Sequence, residues 1–345
     1  MSRSRFTLTL VVLAAALLLL AAACLFFGSV DIEEAEVWNI LTGHPSENRA
    51  WNIIVLQTRL PMVVTATLAG AALSVSGLLL QTTFNNPLAG PSILGVSTGA
   101  GLGVAVVMLA LGGTVGSSVT LHSTGSYLAT LVGALVGAGA VLIILMLMAQ
   151  VVRSSTMLLI VGILVSYLTS SIVSLLNSIA SEEGVHSYVT WGFGTFSGVS
   201  TDQLLLFSVA LLVPLCLTVF MVKPLNALLL GQRYAENLGV NTRRTRNVLL
   251  LLTGVLTAVV TAYCGPIAFI GLVVPHIARL SLGTSNHARL LPATLLAGGC
   301  VALACALVSV VSPYGIIPIN AITPIIGVPI IIYIILNRRR INYFN

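Results

Sequence analysis

Residues 223–247 read KPLNALLLGQRYAENLGVNTRRTRN, and the placement of this stretch decides the fold. It carries Lys223, Arg233, Arg243, Arg244 and Arg246 between two long apolar runs, with Glu236 as its one acid. Working outward, the remaining cations fall mostly into four similar places: Arg3/Arg5, Arg153, Arg279/Arg289 and Arg338 through Arg340. The other acids, Asp31, Glu33, Glu34, Glu36, Glu47, Glu182, Glu183 and Asp202, all lie between those places. Short cytoplasmic loops of membrane proteins collect Lys and Arg, whereas carboxylates are weak topology signals. The stretch is therefore the longest inner loop of a multi-pass, all-α membrane protein with both N- and C-termini cytoplasmic.

Composition excludes the alternatives to a membrane chain. The 345 residues are 57% hydrophobic and 7% charged, with a mean hydropathy of +1.07; an ordinary soluble domain is about a quarter charged. The net charge of +6 is no signal for nucleic acid. It sits in short loops, where it orients the chain and meets anionic lipid headgroups. Cys24, Cys216, Cys264, Cys300 and Cys305 lie inside apolar segments without a C-x-x-C pair. They read as packing residues, with no disulfide framework and no metal site.

A span needs about 20 mostly apolar residues. Residues 8–27, ending in Ala21-Ala22-Ala23-Cys24, resemble a cleaved leader, but the charge parity further on requires a retained first span. Residues 62–81, 92–112 and 127–151 carry the chain from Arg59, outside, to Arg153, inside. Residues 158–180 and 204–222 leave and return. Arg246 to Arg279 and Arg289 to Arg338 each begin and end inside. Each is therefore a hairpin, turning near Cys264-Gly265-Pro266 and near Ser312-Pro313-Tyr314-Gly315. The expectation is ten transmembrane helices. Glycines recur at helical spacing at Gly95, Gly99 and Gly103 and again at Gly133 and Gly137, as expected where backbones approach closely in lipid.

No Asp, Glu or Lys lies within a span, although ion-coupled carriers keep such groups on their pathway. The chain lacks G-x-x-x-x-G-K-[ST], so it has no ATP-binding P-loop. No Ser-His-Asp, H-E-x-x-H or paired-carboxylate arrangement supports an enzyme. His276 and His287 near the inner surface, and His44, His122 and His186 near the outer one, read as interfacial or capping residues. Energy coupling must come from a partner, unless the chain is a passive conduit or a self-sufficient secondary carrier.

The 223–247 loop alternates Leu225, Leu228, Leu229, Ala235 and Leu238 with polar residues, and Gly231 and Gly239 punctuate two short amphipathic helices. Helices that short do not fold alone. They dock either on the bilayer interface or on a soluble protein. Two further stretches are unusual for lipid: the inner connector Asn85-Asn86-Pro87-Leu88-Ala89-Gly90-Pro91, and the last span, interrupted by Pro318, Pro324 and Pro329. Backbone groups freed by proline are tolerated only against protein or a water-filled cavity.

Four blocks resemble the permease family of bacterial ABC importers for iron–siderophores, haem and cobalamin. The first is Arg59-Leu60-Pro61 with Gly70-Ala71-Ala72-Leu73, Ser76-Gly77 and Gln81. The second is Asn86-Pro87-Leu88-Ala89-x-Pro91 with Leu94-Gly95-Val96-Ser97-x-Gly99-Ala100. The third is Leu230-Gly231-x3-Ala235-x2-Leu238-Gly239. The fourth runs from Gly265-Pro266-Ile267 through Phe269-Ile270-Gly271-Leu272-Val273-Val274-Pro275-His276-Ile277 to Arg279. Pro318-Ile319 and Ile326-Gly327-x-Pro329 add a weaker fifth.

The resemblance implies one transmembrane permease domain over residues 1–345 with a type II import fold, in a bacterial cytoplasmic (inner) membrane. It implies a second permease copy, two cytoplasmic ABC ATPase subunits that bind the ATP and magnesium, and an extracytoplasmic substrate-binding protein. This chain itself would hold no cofactor. Leu225, Leu228, Gly231, Gln232, Ala235, Leu238 and Gly239 would form the ATPase-coupling segment. Asn86, Pro87, Leu88, Ser155 and Thr156 would form the cytoplasmic gate. Residues 158–180 and the last span would face the central path, and residues 187–198 would form a short outer helix capping it.

The chain departs from the family pattern at Met62, at Ala304-Cys305-x3-Ser309, at Ile316 and at Gln232. Outer arginines of the family are thought to pair with the binding protein. Only Arg59 and Arg49 remain for that docking.

Overall fold

The computed structural model describes residues 3–111, 124–152, 154–312 and 315–336, and every regular element among them is helical. His122, Arg153, Pro313, Tyr314 and the 338–340 cluster lie outside the described residues. In chain order the helices are α1 (Arg3–Phe26), α2 (Glu34–Leu41), α3 (Arg49–Ile53), α4 (Leu60–Thr83), α5 (Val96–Ala105), α6 (Thr124–Val151), α7 (Ser155–Ile179), α8 (Glu182–Gly192), α9 (Thr201–Thr218), α10 (Val222–Leu228), α11 (Gln232–Asn237), α12 (Thr242–Cys264), α13 (Ile270–Leu282), α14 (His287–Val311) and α15 (Ile319–Leu336). A π-helical turn, Ile54–Arg59, joins α3 to α4, and another, Val106–Leu111, extends α5.

Among the described residues, seven helices are long and apolar enough to cross a membrane, and three shorter apolar ones are built on α5, α13 and α15. Each run read from the sequence as a crossing coincides with one of these. Polar residues set the boundaries. Asn241, Asn286 and Ser181 cap α12, α14 and α8 by accepting the backbone N–H of Arg244 (2.9 Å), Ala288 (2.9 Å) and Gly184 (3.3 Å). At the expected hairpin turn, α12 stops at Cys264, where Gly265 takes φ +75°.

The core is built around α4, which is buried along most of its length against α14, α12, α13 and α9. Lipid tails are as apolar as leucine, so helices associate here by close packing. Glycine sets that closeness. A Cβ on Gly103 would collide with the carbonyl of Gly133, and one on Gly137 with that of Gly99. The two glycine stripes are thus the two halves of one crossing, α5 on α6. Gly70 and Gly298 make the same kind of contact between α4 and α14.

Two expectations shift. The outer helix expected over 187–198 is α8, which begins at Glu182, because Ser181 supplies the cap and Glu182 and Glu183 suit the first turn. Nor is the last span interrupted: α15 continues through Pro324 and Pro329.

Candidate functional site: the coupling and gate face

The 223–247 loop folds as the sequence suggests, into α10 and α11 hinged at Gly231. Gly231 adopts φ +96° and ψ +152°, a region open in practice to glycine alone, and so redirects the chain between the helices. Leu225 and Ala235 are fully buried and anchor the pair to the body of the protein. Leu230, Tyr234 and Leu238 are 60%, 56% and 57% exposed and project away from it. The seven residues expected to couple to a motor therefore divide. Leu225 and Ala235 hold the segment down, Leu228 is half-buried, and Gly231, Gln232, Leu238 and Gly239 are exposed. Tyr234, absent from the expected set, joins the outward face.

A polar clasp closes α11 onto α12. Thr242 Oγ1 donates to Glu236 Oε1 (2.7 Å), and Gln232 Nε2 donates to the same oxygen (3.3 Å). Gln232, a departure from the family pattern, thus keeps a structural partner. Arg243 and Arg246 close the end of α6: Arg243 Nη2 donates to Gln150 O (2.9 Å), and Arg246 Nη2 to Val152 O (3.2 Å) and Ala149 O. Guanidinium groups at a helix C-terminus satisfy carbonyls that the helix leaves open. These cations mark topology in the sequence, and in the fold they also join α12 to α6.

Between the clasp and α4 lies a cleft of about 690 Å³. Gly231, Gln232 and Glu236 line it, together with Asn85 from the α4–α5 connector and Ser154 and Thr156 from the α6–α7 connector. The structure therefore brings Leu228, Gly231 and Gln232 of the expected coupling set and Thr156 of the expected gate set to one opening, which Asn86, Pro87 and Leu88 do not line. Asn86 and Pro87 are half-buried beside it, and Leu88 is exposed. Asn86 Oδ1 accepts the backbone N–H of Leu88 (2.9 Å), and Asn85 takes a left-handed φ of +47°, so the connector turns back sharply. Ser155 opens α7 beside Ser154.

On the opposite face, α8 stacks Tyr188 on Trp191 with ring centroids 6.1 Å apart, and burial lifts the Tyr188 phenol above its usual pKa. Arg59 is placed differently from expectation. It is 4% exposed, and its guanidinium donates to Leu25 O (2.8 Å), Phe26 O (2.8 Å) and Val30 O (2.6 Å). It closes the C-terminal end of α1 and is not presented to a docking protein. Arg49, at the start of α3, is exposed.

A family model described as the FecCD transport family matches residues 15–337 of this sequence. The chain belongs to the FecCD transport family. A vitamin B12 import system permease protein, BtuC of Klebsiella pneumoniae, is 35% identical over 289 residues, covering 83% of each chain. The hemin transport system permease protein HmuU of Yersinia pestis is 32% identical over 316 residues, covering 90% of each. Among solved structures, one described as a metal-chelate type ABC transporter in an inward-facing conformation superposes with a TM-score of 0.80 at 30% identity, over 96% of this chain and 98% of that one. This FecCD-family chain is accordingly a multi-pass ABC transporter permease and not an enzyme.

Proposed function

We propose that this chain is the membrane half of a bacterial importer that carries a metal chelate or tetrapyrrole (iron–siderophore, haem or cobalamin) across the cytoplasmic membrane. Separate ATPase subunits drive it. One observation carries the reading: the α10–α11 segment exposes Leu230, Tyr234 and Leu238 beside a cleft that Asn85 and Thr156 of the two inner connectors also line, on a chain with no P-loop. An exposed apolar segment of that kind fits a groove on a soluble protein.

In this reading the seven long and three shorter apolar helices are ten crossings, which leaves both termini cytoplasmic. Two permease copies meet at the central path. Facing it, α7 leaves Ser170, Ser171 and Ser174 exposed among leucines, a mixture suited to a wetted pathway. Two ATPases bind the ATP and magnesium, so this chain needs no cofactor. ATP binding closes them, moves α10 and α11, and re-packs Asn86, Pro87, Leu88, Ser155 and Thr156 at the gate. An extracytoplasmic binding protein delivers cargo from the α8 side, with Arg49 as the exposed cation available to it.

The relatives' cargoes, vitamin B12 and hemin, and the chelate-type structural neighbour support this cargo class. A pathway without Asp, Glu or Lys suits large, partly apolar solutes. Reconstitution in vesicles tests the proposal. Uptake of cobalamin, haem or a ferric chelate should require both the ATPase and ATP. Uptake by the purified chain alone under a proton or sodium gradient would establish a secondary carrier instead.

A further inference from the structure

The inner end of α4 is the hub of a polar chain that starts at half-buried Asn226 on α10, passes through buried His287 and Thr82, and ends at the α4–α5 connector. Asn226, on α10, fixes its amide by donating from Nδ2 to Asn286 Oδ1 (3.1 Å). Its Oδ1 accepts the backbone N–H of His287 (2.8 Å) and faces His287 Nδ1 (2.9 Å). A carbonyl oxygen only accepts, so Nδ1 carries the ring proton and Nε2 is left as an acceptor. The Thr82 hydroxyl lies 2.8 Å from that Nε2 and 3.2 Å from Leu78 O; with Nε2 an acceptor, the single hydroxyl proton serves the shorter contact, to His287. His287 is fully buried and Thr82 is 4% exposed.

The next residue back, Gln81, is also fully buried. Its Oε1 accepts from Arg279 Nη1, and its Nε2 donates to Leu272 O (3.1 Å), which locks α4 to α13. From α13, His276 Nε2 donates to Pro87 O in the gate connector (2.8 Å). The connector also hangs from α4 directly. The backbone N–H groups of Asn85 and Asn86 donate to Thr82 O (3.2 Å) and Gln81 O (3.0 Å).

We propose that Asn226, His287 and Thr82 are positioning residues that transmit displacement of α10 to the Asn85–Pro91 connector. The only fully buried apolar side chain on α10 is Leu225, and an apolar contact tolerates sliding. Hydrogen bonds fix both distance and direction, and at the buried His287–Thr82 contact a slipped partner has no water to replace it. The inference rests on the proposed docking of α10 and α11 on an ATPase, which an independent variant checks.

The experiment uses the full transporter in vesicles, with cargo uptake and ATP hydrolysis measured together. Thr82→Val keeps the side-chain volume but removes the donor. It should lower uptake per ATP hydrolysed by about three- to tenfold, the range typical of single residues in a packed coupling network. His287→Leu should do the same, and His287→Gln, which can donate to Asn226 and accept from Thr82, should recover much of the ratio. Spin labels at Lys223→Cys and Leu88→Cys give a readout that a purely structural role would not move. In Thr82→Val the first should still respond to ATP and the second should not. An unchanged ratio in Thr82→Val, or a fall that His287→Gln shares in full, overturns the inference. Tyr234→Ala separates the two readings: if it abolishes ATPase binding while Thr82→Val leaves the ratio intact, docking stands and the transmission route is wrong.

Discussion

Arg59 shows how much one side chain can carry that its sequence position does not announce. Three carbonyls at the end of α1 converge on its planar guanidinium, in a place where water cannot replace it. Hydrogen bonds to a charged group contribute about 1.5–3 kcal/mol each. Arg59→Ala should therefore lower the melting temperature of the detergent-purified protein by several degrees. Arg59→Lys should not restore it, since an ammonium lacks the fork that spans the carbonyls. Affinity for the binding protein, measured on folded material, should stay unchanged, whereas Arg49→Glu should weaken it by at most a few-fold, as exposed pairs do. Sequence showed that an arginine follows the outer acidic segment. It could not show that its partners are backbone atoms some thirty residues earlier, because carbonyl acceptors have no residue signature. His276 and His287 were opaque for the same kind of reason: each looks like a polar residue at a helix end, and only the fold brings Pro87, Thr82 and Asn226 to them.

At the level of elements, the sequence was most legible where one residue type has one physical use. Gly231 and Gly239 marked the ends of two short helices, and Gly265 ended α12, all three at positive φ. The stripes Gly99/Gly103 and Gly133/Gly137 signalled close packing; that they pack on each other is long-range information that spacing does not hold. Proline misled. Pro324 and Pro329 suggest breaks, yet α15 absorbs both. Amphipathicity named the coupling segment but not its faces, because helices of seven and six residues are too short to fix a buried side by periodicity. Gly231 is the sharpest test at this scale. Nothing lies within 4 Å of a Cβ placed there, so Gly231→Ala acts only through its backbone, at a cost of about 1–3 kcal/mol if the junction keeps its shape. Insertion and helicity should be unaffected, while ATP-dependent uptake falls as α10 and α11 change their relative angle.

For the whole molecule, charge and hydropathy together specified a multi-pass helical protein before any contact was known. They did not show that the segments expected to couple and to gate, represented by Gly231, Asn85 and Thr156, line one cleft. In the proposed reading, that juxtaposition lets a separate motor operate a membrane protein that has none of its own. The most direct test is labelling with a membrane-impermeant thiol reagent at Tyr234→Cys, in a background with Cys216 replaced. The account predicts no labelling in intact cells, strong labelling in inside-out membrane vesicles, and protection of those vesicles when the partner ATPase is bound. Labelling from the outside of intact cells would contradict both the orientation and the motor-docking role of the segment.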